Sequence, residues 1–120
     1  MKFILASSSP RRQSLLQRIQ LNFDVIPPNV DESLISYDGS PIGYCSTLAN
    51  LKANDISEHF KNELVIGADT IVFFDNEVLG KPKNETSAIS MLKKLSGNTH
   101  QVYTSVCIKN QSKKINHTFT

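Results

Sequence analysis

Leu64-Val65-Ile66-Gly67-Ala68-Asp69-Thr70-Ile71-Val72-Phe73-Phe74 is the stretch on which the fold turns. Its run of aliphatic, β-branched and aromatic residues predicts a long strand buried for most of its length, because a segment covered on both faces needs no polar alternation. One acid interrupts it. Asp69 is expected at a kink, at the sheet edge or in a site, since an unpaired buried carboxylate costs several kcal/mol. Gly67 just before it would permit a bend. A carboxylate satisfied by nearby backbone N–H groups fits the same pattern.

Outward from this strand the chain alternates strands and helices. Asp75-Asn76 predicts a hairpin turn returning through Glu77-Val78-Leu79 to Gly80-Lys81-Pro82. Upstream, Ser40-Pro41 opens a helix expected to end near Lys61-Asn62, with Ala49, Ala53, Ile56 and Phe60 on one stripe. Downstream, Asn84 caps a third helix with the stripe Ala88, Met91, Leu92 and Leu95, closed by Gly97. Strands follow over Val102 to Ile108 and from Ile115. At the other end, Phe3 to Ala6 reads as a buried strand. Ser9 and Pro10 then start a helix striped by Leu15, Leu16 and Ile19 that ends near Asn22. Phe23 and Val25 suggest another strand, and residues 29–40 read as a polar loop. The class is α/β, in one domain over residues 1–120. The strand from Ile115 has no turn or cap after it, so the domain is expected to be incomplete at its C-terminal side.

Composition narrows the function classes. The 120 residues carry 13 Lys plus Arg against 11 Asp plus Glu, a net charge of +2, which names no partner by itself. All acids lie at or before Glu85, and Lys93, Lys94, Lys109, Lys113 and Lys114 follow. That leaves a basic face for nucleic acid as a weak alternative, with only Tyr103 and Phe119 as interleaved aromatics. Cys45 and Cys107 match no metal or redox spacing and read as small core residues of a protein in a reducing cytosol. The apolar run at the start is too short for a secretory signal, and no stretch approaches a membrane span.

Two places carry chemistry. Ser7-Ser8-Ser9-Pro10-Arg11-Arg12, between a strand and a helix, gathers hydroxyls, free backbone N–H groups, a helix dipole and two guanidinium groups around one point. Such a point suits an anion, most naturally phosphate, although an ordinary serine cap followed by two solvated arginines reads the same way. Asp69 is the second place. Lys52, Lys81 and Glu32 read locally as solvated charges. His59, His100 and His117 have no partner at metal spacing. No Gly-x-Ser-x-Gly elbow, Walker pattern or dinucleotide fingerprint occurs.

Taken together, these segments resemble the Maf-like nucleoside triphosphate pyrophosphatases. The resemblance rests on Leu5-Ala6-Ser7-Ser8-Ser9-Pro10-Arg11-Arg12, Asp31-Glu32, Leu48-Ala49-Asn50-Leu51-Lys52-Ala53, Gly67-Ala68-Asp69-Thr70, Leu79-Gly80-Lys81-Pro82 and Leu95-Ser96-Gly97-Asn98-Thr99-His100-Gln101-Val102, in family order. The Gly-Ala-Asp-Thr form resembles the dTTP/UTP branch. The resemblance implies a Maf/ITPase-like twisted mixed sheet flanked by helices, of which this chain is the N-terminal two-thirds. It also implies hydrolysis between the α and β phosphates with Mg²⁺ or Mn²⁺. On this basis Asp69 is the proton acceptor, aided by Lys52 and Lys81. Ser7, Ser9, Arg11, Arg12 and Thr70 would bind substrate, with Arg11 and Thr70 at positions tied to base selection, and Glu32 with Asp69 would hold the metal. A nucleoside triphosphate is the implied partner of a cytoplasmic protein that forms homodimers within the family. A shortened chain that keeps the phosphate loop but not turnover is the alternative.

Overall fold

In the computed structural model, which describes residues 2–19, 22–80 and 82–120, strand β1 (Phe3–Ala6) lies between two parallel neighbours. These are β2 (Phe23–Val25) on one side and β3 (Leu64–Phe74) on the other. Helix α1 (Pro10–Arg18) connects β1 to β2, and helix α2 (Pro41–Ser57) carries the chain back past β1 to β3. The direction of winding thus reverses at β1, which makes the end of β1 a topological switch point, the usual position of a ligand crevice in sheets of this kind.

Beyond β3 the sheet turns antiparallel. β3 pairs with β5 (Gln101–Asn110), and β5 with β6 (Ile115–Phe119), giving the order β2-β1-β3-β5-β6. The short strand β4 (Glu77–Leu79) folds back on the distal end of β3. Asp75 and Asn76 make that turn with φ of 51° and 60°, the left-handed pair a two-residue hairpin requires. Helix α3 (Glu85–Leu95) follows, capped by Asn84, and Gly97 leaves it at φ +73°. The expected α/β class and mixed sheet are therefore present.

The core lies between α2 and one face of the sheet. Ala49, Ala53 and Ile56 of α2 pack on Ile4, Ala6, Val65 and Cys107, and a second cluster joins Cys45, Leu48 and Ile71. Helix α2 stops at Ser57, short of the expected end, yet Phe60 still packs on the core from the turn that follows. Gly67 has a different role from the bend expected of it, since β3 pairs with β5 without interruption through this position. A Cβ at Gly67 would lie 2.7 Å from the Ala53 backbone nitrogen and 2.8 Å from the Ala49 carbonyl oxygen. The glycine lets the α2 backbone come directly onto β3.

Two helical stripes are not buried as their periodicity predicts. Leu15 and Ile19 of the α1 segment are 58% and 62% exposed, and Leu92 of α3 is 67% exposed. No residue of α1 or α3 is fully buried. Periodicity names the face that seeks cover; whether another element lies against it is decided by the sheet and its connections. Similarly, residues 29–40 are not wholly irregular, because Glu32–Leu34 form a single 3-10 turn capped by Asp31.

Candidate active site

Strand pairing leaves a notch beside Asp69. β5 occupies one edge of β3 from Val65 to Phe73, so β1 and β4 share the opposite edge. On that edge β1 pairing ends at Ala6 with Gly67, and β4 pairing begins at Leu79 with Val72. Neither strand pairs with residues 68–71. The Ser7-Ser8-Ser9 loop leaves β1 at this gap, at the switch point.

Three charges meet here. Lys52 of α2 places its Nζ 2.7 Å from Asp69 Oδ1 and 2.8 Å from Glu32 Oε1. The Lys52 and Asp69 side chains are 14% and 11% exposed, while Glu32 is half exposed at 49%. Asp69 is thus the buried acid the sequence singles out. It stands in an unkinked strand and is satisfied by an ammonium group, which removes the cost of an unpaired buried charge. Burial pushes the Lys52 ammonium down, but the hydrogen bonds and charges of Asp69 and Glu32 outweigh it and hold the group above its ordinary 10.5. Lys52, a solvated lysine on the local reading and a site residue by the family resemblance, is the hub of this cluster.

The loop that carries Glu32 is tied at two points. Asp31 accepts the backbone N–H of Ser33 at 3.0 Å as cap of the 3-10 turn, and the Ser33 hydroxyl and N–H together hold the Asp31 carboxyl below its usual range. One turn of α2 beyond Lys52, Asp55 Oδ2 accepts the N–H of Asn29 at 3.0 Å. Sequence reasoning missed Asp55, whose partner lies 26 residues away.

A second polar group lies on the other face of the sheet. Successive strand residues point to opposite faces, so Thr70 points away from the side on which Asp69 meets α2. Arg12 Nη2 donates to Thr70 Oγ1 at 3.1 Å, and Thr70 Oγ1 lies 2.9 Å from Thr104 Oγ1. Thr104 is Thr70's direct cross-strand partner. No sequence signal marks Thr104, because the β3–β5 register cannot be read locally. The two groups thus lie on opposite faces of β3 where residues 68–71 have no strand partner on the β1–β4 edge.

The remaining expected residues are divided. Ser7 is buried, with its Oγ accepting the N–H of Ser9 at 3.0 Å, and Ser9 Oγ caps α1 by accepting the N–H of Arg12 at 3.4 Å. Both hydroxyls brace the loop. Arg11 is exposed, and its side chain makes no hydrogen bond or ion pair to a described residue. Lys81 lies outside the described residues. Among the described residues no group of three or more His, Cys, Asp and Glu converges as a metal site. Glu32 and Asp69 do aim hard oxygen donors at one point, where the Lys52 ammonium stands in for a cation. That donor pair suits a magnesium- or manganese-type ion whose other ligands are water and phosphate oxygens. No helix among the described residues is long and apolar enough to cross a membrane.

Comparison with known proteins bears on this geometry. The family model described as Maf-like protein matches residues 2–120. A dTTP/UTP pyrophosphatase of Ruminiclostridium cellulolyticum is 45% identical over 112 residues, which are 93% of this chain and 58% of that protein. A dTTP/UTP pyrophosphatase of Clostridium perfringens is 48% identical over 111 residues, 92% of this chain and 58% of the relative. The chain thus spans about 58% of the length of these curated relatives. Among solved structures, a nucleoside-triphosphatase / dITP/XTP pyrophosphatase from Mycobacterium abscessus superposes with TM-score 0.63 at 14% identity, covering 99% of this chain and 70% of that one. The Ham1 protein of Staphylococcus aureus gives 0.62 at 17% identity, covering 99% and 68%. At these identities the likeness speaks for the fold alone.

Proposed function

This chain belongs to the Maf-like protein family, and from that premise we propose that its site hydrolyses a nucleoside triphosphate, dTTP or UTP, to the monophosphate and pyrophosphate. The observation that carries the reading is the Asp69–Lys52–Glu32 group, with Asp69 and Lys52 largely buried, set at a switch-point notch beside the serine loop and the Arg12–Thr70 pair. Two curated relatives named dTTP/UTP pyrophosphatase, at 45% and 48% identity, supply the choice of substrate.

A triphosphate carries about four negative charges, and displacement at phosphorus is promoted chiefly by positioning and charge stabilisation. In this reading the α1 N-terminus with Ser7 and Ser9, together with Arg11 and Arg12, orients the phosphates. Water attacks the α-phosphorus, its proton passes to an Asp69 carboxylate oxygen, and the bond from the α-phosphorus to the bridging oxygen breaks, so that pyrophosphate leaves. Lys52, which meets Asp69 in the nucleotide-free site, supplies positive charge to the phosphate oxygens, as would Lys81. Arg11 and Thr70 would face the base, Thr70 being held by Arg12. A divalent Mg²⁺ or Mn²⁺ ion, held by Glu32 and Asp69, would neutralise phosphate oxygens when bound. Cytoplasmic location and a homodimer complete the proposal. Nucleic acid is left out of it because the C-terminal lysines are spread over α3, β5 and a turn, with Lys94 engaged by Glu77 and Lys109 by Asn54.

The test is pyrophosphate release from dTTP, UTP, CTP, GTP and ATP with Mg²⁺ or Mn²⁺. Turnover of dTTP and UTP above the others supports the reading. Nucleotide bound by a folded chain without release refutes turnover and leaves a binding protein.

A further inference from the structure

Glu32 and Asp69, the two carboxylates assigned to the metal, are both already engaged by one cation, Lys52 Nζ, at 2.8 Å and 2.7 Å. A divalent ion bridging them would need oxygen distances near 2.1 Å and would bring two positive charges to the point where the ammonium stands. The ammonium and the ion cannot share that point: like charges in a partly buried site repel strongly, and each carboxylate oxygen at the junction is committed to Nζ. Lys52 has room to leave. Its stem is long and flexible, Glu32 is half exposed, and residues 68–71 of β3 have no strand partner on the edge shared by β1 and β4.

We propose that Lys52 is the resident counter-cation of the Glu32–Asp69 pair and is exchanged for the divalent ion when the triphosphate arrives, its ammonium passing from the carboxylates to a phosphate oxygen. This rests on the pyrophosphatase reading above. The exchange adds positive charge to the site as negative charge arrives. Without nucleotide, one ammonium offsets two carboxylates. With nucleotide, the ion takes the carboxylates and the released ammonium meets the added phosphate charge. A consequence is that the metal alone binds poorly to the empty protein, because the binding-competent arrangement, with Lys52 withdrawn, is a small fraction of the population.

The proposal is tested by titrating Mn²⁺ into nucleotide-free protein and following binding by calorimetry or by loss of the free-ion paramagnetic resonance signal. Lys52→Met and Lys52→Gln, which remove the competing charge, are expected to bind Mn²⁺ about tenfold or more tighter than the wild type, as follows if Lys52 occupies the pair nine-tenths of the time. Lys52→Arg, which keeps a cation there, should bind as weakly as the wild type. Equal or weaker binding by the two neutral variants overturns the exchange. Should these variants be unfolded without metal, Mn²⁺ is expected to restore their circular dichroism, the ion taking the place of the ammonium; chains that stay unfolded at saturating Mn²⁺ overturn it equally. Turnover assays on the wild type address the pyrophosphatase reading separately, so either can fail while the other stands.

Discussion

Lys52 Nζ and Asp69 Oδ1 lie 2.7 Å apart, joining the C-terminal half of helix α2 to the middle of the longest strand. Both side chains are largely buried, so each compensates the desolvation of the other. Replacing Asp69 by Asn keeps the shape and removes the proton acceptor. Turnover of dTTP is expected to fall by about 10²–10⁴-fold, the usual share of a general base, with nucleotide binding retained. An unchanged rate would remove Asp69 from the chemistry.

Gly67 sets the distance between these two elements. In Gly67→Ala the new Cβ meets the α2 backbone at 2.7–2.8 Å, and backbone cannot swing aside as a side chain can. The cost should be about 1–3 kcal/mol of stability, as for other overpacked cores. Because α2 also carries Lys52, activity should fall beyond the unfolded fraction. A denaturant melt with a parallel rate measurement checks both, and a variant of wild-type stability would show that α2 does not bear on Gly67.

Thr104 supports Thr70 across the β3–β5 ladder at 2.9 Å. Thr104→Val keeps the size and deletes the hydroxyl. One neutral hydrogen bond is worth about 0.5–1.5 kcal/mol, so the ratio of kcat/KM for dTTP over CTP should fall by up to about tenfold. The Asp69 chemistry on the other face should leave kcat for dTTP within about twofold. A constant ratio would separate Thr104 from base selection.

The Lys52 cluster also makes a prediction about alkaline stability. Lys52 holds its proton more tightly in the folded chain than in the unfolded one, because its carboxylate partners outweigh burial. Its contribution is therefore complete below the unfolded value of 10.5 and is lost as pH rises through the higher folded value. Urea midpoints from about pH 9 to about pH 12 should fall more steeply for the wild type than for Lys52→Met. Parallel slopes would show that the pair does not contribute.

How much of this was legible in the chain depends on the range of the interaction. The strands, the serine and asparagine caps, the Asp75-Asn76 turn and the start of α2 follow from neighbours a few residues apart, and they stand as read. The stripes of α1 and α3 were legible as amphipathic and misleading as core, since Leu15, Ile19 and Leu92 remain largely exposed. The phosphate-ready loop was legible in its residues, but its Ser7 and Ser9 oxygens turn out to brace the loop itself.

By itself the sequence determined that a carboxylate interrupts an apolar strand and must find a partner, because desolvation of a charge is a property of the residue and its immediate neighbours. It also determined, through the order of its motifs, the family to which the chain belongs. Only the tertiary structure decided which partner answers. Lys52, 17 residues before Asp69, reaches it because Gly67 lets α2 settle on β3, Glu32 joins from a turn held by Asp31 and Asp55, and Thr104 meets Thr70 through a register set along the whole β3–β5 ladder. These contacts depend on how distant elements pack, and packing is a property of the assembled surfaces that no local stretch of residues contains.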